Sequence, residues 1–177
     1  QAQQPDLLVN VGLDLTRTGR HVGTHMQGEP DQGQHDTRSD VLAVSSAGML
    51  IRRDVWDALG GLDPKLPLFR DDLDFCWRAH RAGERVLIAT DAVVHHREAS
   101  ANGRRPNGVK HPERADREAA VHVLLAHASL IGAPFMAIRL LLTSALRSLA
   151  FLLGKDIAGA RDEIAAVLAV ALHPFSL

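Results

Sequence analysis

Three carboxylates fall within four residues of the sequence and form an acidic turn: Asp71, Asp72 and Asp74. The pattern predicts a helix that is capped by Asp71 or Asp72, runs to about Arg81 and has Gly83 at its C′ position. Carboxylates at a helix start are stabilised by its unpaired N–H groups and partial positive charge. One of them could act as a general base or ligate a cation. The alternative is a helix cap with a solvated acidic turn.

Asp74 and Arg78 lie four residues apart in this predicted helix, so we expect an intrahelical ion pair with a structural role. The run Asp72-Leu73-Asp74 also has the D-x-D spacing of metal–nucleotide sites. Such a motif normally ends a hydrophobic strand, whereas a proline-interrupted loop, 64–70, precedes it here. We therefore do not assign nucleotide binding to it.

Two further polar groups could join the acidic turn. His95 and His96 follow a short extended segment, and an imidazole beside carboxylates can ligate a divalent metal or bind phosphate. Adjacent strand residues point to opposite faces, so at most one of the two would face the site. The alternative is a polar strand end. Gln34 lies in a polar loop, 17–40, which is rich in the hydrogen-bonding groups that sugar recognition requires.

Composition limits the classes of function. The 177 residues hold 20 Lys and Arg against 21 Asp and Glu, and this near-neutral balance argues against nucleic acid as a partner. Cys76 is the single cysteine, which excludes an intramolecular disulfide framework and any cysteine-cluster metal site. The length suits one domain, or one domain with an appendage.

The two parts of the chain differ in their predicted elements. We predict an α/β domain for residues 1–108 and a helical segment for residues 109–177. The polar Gly/Pro-bearing stretch 100–108 is the predicted boundary between them. In the first part we predict a short helix after Asp54. The predicted extended segments there are 7–13, 41–44, 85–89 and 92–94. In the second part the predicted helices are 113–127, 134–153 and 156–172.

The helical segment is unusually apolar. Residues 119–154 contain only two charges, Arg139 and Arg147. The most apolar run, 140–153, is shorter than the roughly 20 residues that a membrane span needs. It could lie in the membrane interface with both arginines reaching out to the head groups. The alternative is a buried helical hairpin.

Several spaced motifs, in this order, resemble the C-terminal half of a family 2 glycosyltransferase. The resemblance covers about residues 7–105 and is closest to large bacterial enzymes that join such a domain to membrane helices. The motifs are Ala47–Arg53, Gly60-Gly61-Leu62-Asp63, Asp71-Asp72-Leu73-Asp74 with Arg78, Ala82-Gly83 and Ala92–His96.

The resemblance implies part of a GT-A fold, which is a Rossmann-like α/β sheet. It also implies an inverting, Mg²⁺- or Mn²⁺-assisted transfer of a sugar from a nucleotide-activated donor to a glycan or lipid-linked acceptor. We expect a role in cell-envelope polysaccharide or glycolipid synthesis, at the cytoplasmic face of the cell membrane. Because the donor-binding half and its D-x-D segment do not appear, we expect the chain to be a fragment that is inactive alone.

The resemblance also assigns roles to single residues. Asp72 matches the base that deprotonates the acceptor, and Asp71 stands beside it, as a substrate-binding residue, where the family usually has Glu. Gly48 and Met49 match the loop that lines the acceptor side. His96 matches a histidine that contacts the metal or the diphosphate in some relatives, although a slip of one residue would exchange it with His95.

Two other functions remain open at this point. A metal-dependent phosphohydrolase could use Asp71, Asp72, Asp74 and His96, but it would need further His or Asp ligands at other strand ends. A non-catalytic helical module for membrane association would use the acidic turn only as a cap.

Overall fold

The computed structural model describes residues 7–22, 28–37, 40–66, 68–95 and 111–172. Backbone contacts divide the chain into two compact units. The first unit comprises Gln1–Thr16 and His21–Arg97, and the second comprises Arg17–Arg20 and Glu98–Leu177. The predicted boundary at 108 lies outside the described residues and remains a prediction.

Extended segments form one part of the first unit. Strands β1 (Asp14–Leu15) and β2 (His21–Val22) pair antiparallel. Single antiparallel bridges join Leu13 to Ala43 and Asp40 to Leu87. The segment 40–43 therefore pairs with a different neighbour at each of its ends.

The predicted regular strands are not found among the described residues. Segments 7–13, 41–44 and 85–89 carry isolated bridges, and the pairings are antiparallel, so a parallel Rossmann-like sheet is not established. The ladder is interrupted on one side by Gly12, whose φ is +84°, and on the other by a 3-10 turn at Ser46–Gly48. The apolar pattern correctly predicted a buried segment here, since Val41 and Ala43 lie in the core. It did not predict how many of these residues pair as a strand. Strand β2 also falls within the predicted loop 17–40.

Two helices complete the first unit: α1 (Arg53–Leu59) and α2 (Asp71–Arg81). The backbone cap of α1 is Arg52, and the predicted cap Asp54 is instead an acid of the first turn. Arg70 takes the cap position of α2 with φ +66°, so Asp71 is the first helical residue. The buried face of α2 carries Leu73, Asp74, Phe75, Cys76 and Ala79.

The second unit contains three helices: α3 (Pro112–Ala126), α4 (Gly132–Leu153) and α5 (Ile157–Leu172). Each lies within one or two residues of its predicted bounds. Both α3 and α4 pack mainly against α5. The apolar core of the unit consists of Ala120, Val121, Val123, Leu124, Leu140, Ala160, Ala166 and Val167.

Helix α4 is, within the described residues, the one helix long and apolar enough to cross a membrane. Its 22 residues correspond to roughly 33 Å of helix. Length and composition alone do not separate a membrane helix from a core helix.

Candidate functional site

The carboxylate of Asp72 is fixed at the start of α2 by two backbone amides. Its Oδ2 atom accepts a hydrogen bond from the N–H of Ser46 at 3.1 Å, and its Oδ1 atom accepts one from Leu73 at 2.8 Å. Asp72 remains partly exposed. A carboxylate oxygen has more than one acceptor position, so Asp72 can still accept a proton from a bound hydroxyl.

The same face of α2 continues this contact along the chain. Cys76 and His80 follow Asp72 at intervals of four residues and therefore share its helix face. The Cys76 thiol hydrogen-bonds the backbone of Val44. His80 Nε2 lies 3.0 Å from the carbonyl oxygen of Val41 and 3.1 Å from that of Leu42. Helix α2 thus runs antiparallel to segment 41–46, and three side-chain contacts set its register.

Asp71 differs from Asp72 in its electrostatics. Burial, together with the nearby charges of Asp72 and then Asp74, raises the pKa of the Asp71 carboxyl. Burial and like charge both disfavour the ionised form of this carboxyl. Asp71 therefore takes up a proton more readily than an aspartate in water does.

Arg78 is held entirely by protein groups. Its Nε atom donates to Asp74 Oδ2 at 2.8 Å, which forms the ion pair expected from the spacing. Its two terminal nitrogens donate to the carbonyl oxygens of Leu59 and Gly61 at 2.7 and 2.8 Å. Its guanidinium also lies 5.3 Å from the centre of the Phe75 ring. Arg78 therefore ties the end of α1 to the middle of α2.

The Gly60-Gly61 pair explains why that motif needs glycine. Both residues have positive φ, +75° and +73°, and Gly60 ends α1 in the left-handed conformation. A Cβ atom at Gly61 would lie 2.9 Å from the Trp56 ring. The Trp56 ring in turn packs on Phe75 of α2, at 5.5 Å between centroids. An open cavity of about 370 Å³ lies beside it, lined by Ile51, Arg53 and Trp56.

The predicted acceptor loop meets both the acidic turn and the segment before His95. Gly48 ends the same 3-10 turn whose Ser46 amide binds Asp72, and Met49 follows it directly. A Cβ atom on Gly48 would lie 3.1 Å from Val94, so the absence of a side chain permits this approach. The structure therefore brings together Asp72, the 3-10 turn and the 92–94 segment.

Gln34 is engaged within its own loop. Its Nε2 atom donates to Glu29 Oε1 at 2.6 Å and to the carbonyl oxygen of Pro30 at 2.9 Å. Its Oε1 atom accepts from the N–H of Gln32 at 2.7 Å. None of these contacts is with the acidic turn. The substrate-binding role predicted for Gln34 remains a prediction.

The described residues do not assemble a metal site. Within them, no group of three or more His, Cys, Asp or Glu side chains is placed to hold an ion. His96, the predicted metal ligand, lies outside the described residues. The described residues therefore show no set of metal ligands, and the predicted Mg²⁺ or Mn²⁺ remains a prediction. The phosphohydrolase alternative would require such a set.

Ser46 and Arg70 are contributors that sequence reasoning missed. Ser46 contributes its backbone N–H. Because nearly every residue type has this group, the sequence gives no signal for the contact. Arg70 is buried with φ +66°, which is unusual for a residue other than glycine. Its position directly before the acidic turn was the only available signal.

Comparison with known proteins agrees with this geometry. The family model described as "Glycosyltransferase like family 2" matches residues 15–107. An uncharacterized protein of Sinorhizobium fredii (strain NBRC 101917 / NGR234), y4gI, is 31% identical over 67 residues. The aligned part is 37% of this chain and 7% of that protein's length. No solved structure matches significantly.

The matched region contains the acidic turn, the 3-10 turn, the Gly-Gly turn and the 92–96 segment. These motifs follow one another in the order that carries the family resemblance. Their described residues are in contact in the structure. The match covers more than half of the chain, which therefore belongs to the glycosyltransferase-like family 2.

Proposed function

We propose that this chain forms the acceptor side of an inverting glycosyltransferase in which Asp72 is the catalytic base. Family membership supports glycosyl transfer as the general reaction, with a nucleotide-sugar donor and an acceptor as substrates. The proposal adds the role of Asp72, the acceptor class, which is a glycan or a lipid-linked sugar, and a place in cell-envelope polysaccharide or glycolipid synthesis.

One observation carries the proposal: Asp72 is anchored by the amide of Ser46 in the turn that leads to Gly48 and Met49. A base must lie within hydrogen-bond reach of the hydroxyl that it deprotonates. The Ser46 contact places the carboxylate beside the loop that the family resemblance assigns to the acceptor. Because the amide holds one oxygen in place, little reorientation is needed when the acceptor arrives.

In the proposed reaction the acceptor oxygen attacks the anomeric carbon of the donor sugar. The new C–O bond forms as the bond to the nucleoside diphosphate breaks, and the hydroxyl proton passes to Asp72. Asp71 remains beside the reacting hydroxyl as a group that can hydrogen-bond the acceptor. Members of the family generally use a divalent metal, which offsets charge on the leaving diphosphate.

We place the reaction at the cytoplasmic face of the cell membrane. Helix α4 supports this location, because it is long and strongly apolar and little of it is buried. A lipid-linked acceptor would be presented at that surface. The same helix also supports the non-catalytic alternative of a membrane-association module, but that function leaves the ordered acidic turn without a role.

The first prediction tests the base. Asp72→Asn in the complete natural protein should lower transfer about 10²–10⁴-fold, because an amide keeps the shape and the Ser46 contact but is a very poor proton acceptor. The measurement is transfer of radiolabelled sugar from a panel of nucleotide-sugars to lipid and glycan acceptors in membranes from producing cells.

The matched control is Asp57→Asn, the same change on the exposed face of α1, which should leave transfer unchanged. Circular dichroism should show equal folding of both variants. Turnover of Asp72→Asn within a few-fold of the parent would remove Asp72 from this role.

A further inference from the structure

Helix α4 places polar residues inward and apolar residues outward, unlike a surface helix of a water-soluble bundle. Within α4 the residues that pack inward include Ser144, Ser148 and Arg147. The residues that point outward are apolar, and Leu142, Leu146 and Leu153 are between 62% and 78% exposed. In water the hydrophobic effect would favour the opposite arrangement.

The interior of the unit holds a charged cluster. Glu163 of α5 is 4% exposed and pairs with Arg117 of α3 at 3.0 Å and with Arg147 of α4 at 3.3 Å. Arg117 also donates to the carbonyl oxygen of Thr18 at 2.8 Å, and the Ser144 hydroxyl lies 3.4 Å from the carbonyl oxygen of Glu163. Ionisable groups that face one another inside a bundle, with serines at the helix contacts, are typical of helices surrounded by lipid.

The outward apolar residues run along the whole of α4, and α5 adds three further exposed apolar residues, Ile157, Ile164 and Leu168. By helical periodicity those of α4 occupy one side of the helix, opposite Leu140, Ser144 and Ser148. Helix α3 does not share this apolar face, because its large apolar residues are turned inward. The unit therefore has one apolar side and one polar side. The exposed apolar residues are Ile131, Phe135, Ile138, Leu141, Leu142, Leu146, Leu149, Leu152, Leu153, Ile157, Ile164 and Leu168.

Exposed cations lie at two places beside this face, and an exposed acid, Asp156, follows one of them. Helix α4 contains two arginines and no acidic residue. At one flank Arg139 donates a hydrogen bond to the carbonyl oxygen of Arg17, and the Arg17 side chain is exposed. At the C-terminal end of α4, Lys155 is exposed. Cations beside an apolar face complement an anionic lipid surface.

We propose that the α4–α5 side of the second unit docks in the plane of an anionic bilayer, with its leucines against the acyl chains and with Arg17 and Lys155 at the phosphate head groups. This inference deepens the membrane location given in the proposed function and rests on it. In-plane docking follows from α3, which packs on α5 and carries Glu113, Arg114, Asp116 and Glu118, so the three helices cannot cross the hydrocarbon core together.

Vesicle flotation of the full 177-residue chain tests the proposal. The chain should float with vesicles of phosphatidylcholine and phosphatidylglycerol (3:1) and bind pure phosphatidylcholine vesicles at least tenfold more weakly. The triple variant Leu142→Gln, Leu146→Gln and Leu149→Gln should lose at least tenfold in partitioning to the anionic vesicles. The matched control is Leu87→Gln, because Leu87 is 49% exposed and does not belong to this apolar face.

Two further measurements test the role of the basic residues and the depth of insertion. Arg17→Gln with Lys155→Gln should remove most of the preference for phosphatidylglycerol. The variant L146W should be quenched by lipids brominated near the head group more strongly than by lipids brominated at the chain ends. Deep quenching would overturn in-plane docking.

A second copy of the chain is the alternative partner for the apolar face. A chain that sediments as a dimer, returns to monomer in the triple leucine variant and does not float would overturn lipid docking. The Asp72→Asn chain should float like the parent, so a failure of the proposed base would leave the lipid-docking inference intact.

Discussion

At the scale of single residues, the three carboxylates of the acidic turn have different surroundings. Asp74 is neutralised by Arg78, and Asp72 is held by two amides. Asp71 is left with partial burial and two negative neighbours. Closely spaced acids with different environments can divide roles between them. Here Asp72 is the ordered carboxylate, and Asp71 is the one whose charge the fold disfavours.

The second prediction follows from the raised pKa of Asp71. A carboxyl whose pKa is higher in the folded than in the unfolded state stabilises the fold fully below its unfolded pKa, near 3.8, and loses that contribution as the pH rises through the folded value. Asp71→Asn should therefore raise the Tm at pH 7, by about 2 °C after allowance for solvent screening. The gain should vanish below about pH 3.8.

Thermal denaturation at pH 7 and pH 3.5 measures this difference. Asp91→Asn, at an exposed aspartate, is the control and should leave the Tm unchanged at both values. A loss of stability in Asp71→Asn at pH 7 would contradict the electrostatic account. Transfer activity should fall in the same variant, because the acceptor loses a carboxylate partner.

The third prediction concerns Arg78, whose contacts are all with protein groups. Arg78→Ala should cost about 3 kcal/mol of unfolding free energy, since it removes the cation that offsets the buried charge of Asp74. Arg78→Lys should cost less, because it keeps the charge but loses the fork that joins two carbonyl oxygens. Urea denaturation ranks the two variants. A Lys variant that loses nucleotide-sugar binding at unchanged stability would indicate a direct substrate contact instead.

At the scale of elements, helix α2 is positioned from two sides. Segment 41–46 binds the face that carries Asp72, and the Gly-Gly turn after α1 binds Arg78 on another. The turn requires two positive φ angles, and Gly61 also lies close to Trp56. A change in this turn should therefore affect stability through α2.

The fourth prediction separates conformational strain from steric overlap in that turn. Gly60→Ala should cost about 1 kcal/mol, because φ is positive but no atom lies within 4 Å of the added Cβ. Gly61→Ala should cost about 1–3 kcal/mol more, because its Cβ would also meet the Trp56 ring. Chemical denaturation of both variants gives the difference. Equal losses would show that the Trp56 ring moves aside freely.

The sequence predicted helices far better than strands. The bounds of α3, α4 and α5 follow from Pro112, the apolar period and the glycines near the turns, which are local signals. The extended segments depend on pairing with distant residues, and the sequence does not show that Leu13 meets Ala43. In the site, the side-chain contact between Asp74 and Arg78 follows from helical spacing. The backbone contact of Asp72 with Ser46, 26 residues away, could not be predicted.

At the scale of the whole molecule, the two units are stabilised by different means. The first unit contains both tryptophans, Trp56 and Trp77, whereas the second is built on helices around the Arg117–Glu163–Arg147 cluster. Two probes can therefore follow them separately. Tryptophan emission reports the first unit, and circular dichroism at 222 nm is dominated by the helices of the second.

The fifth prediction uses this separation. Glu163→Gln leaves two arginines facing each other without a carboxylate, which typically costs about 3–5 kcal/mol for a buried pair. The dichroism transition should move to lower temperature while the tryptophan transition stays in place. Asp162→Asn, at the neighbouring and more exposed acid, should move neither. An equal shift of both signals would show that the units unfold together.

The buried Cys76 thiol has a consequence for measurement. Burial raises its pKa to about 11, and it lies on the helix face between Asp72 and His80. Because the thiolate is the nucleophilic form, a thiol reagent attacks it slowly until α2 separates from segment 41–46. Each labelled molecule is thus one in which Asp72 has also left Ser46. The alkylation rate of this single cysteine therefore measures how often the contact between Asp72 and Ser46 opens.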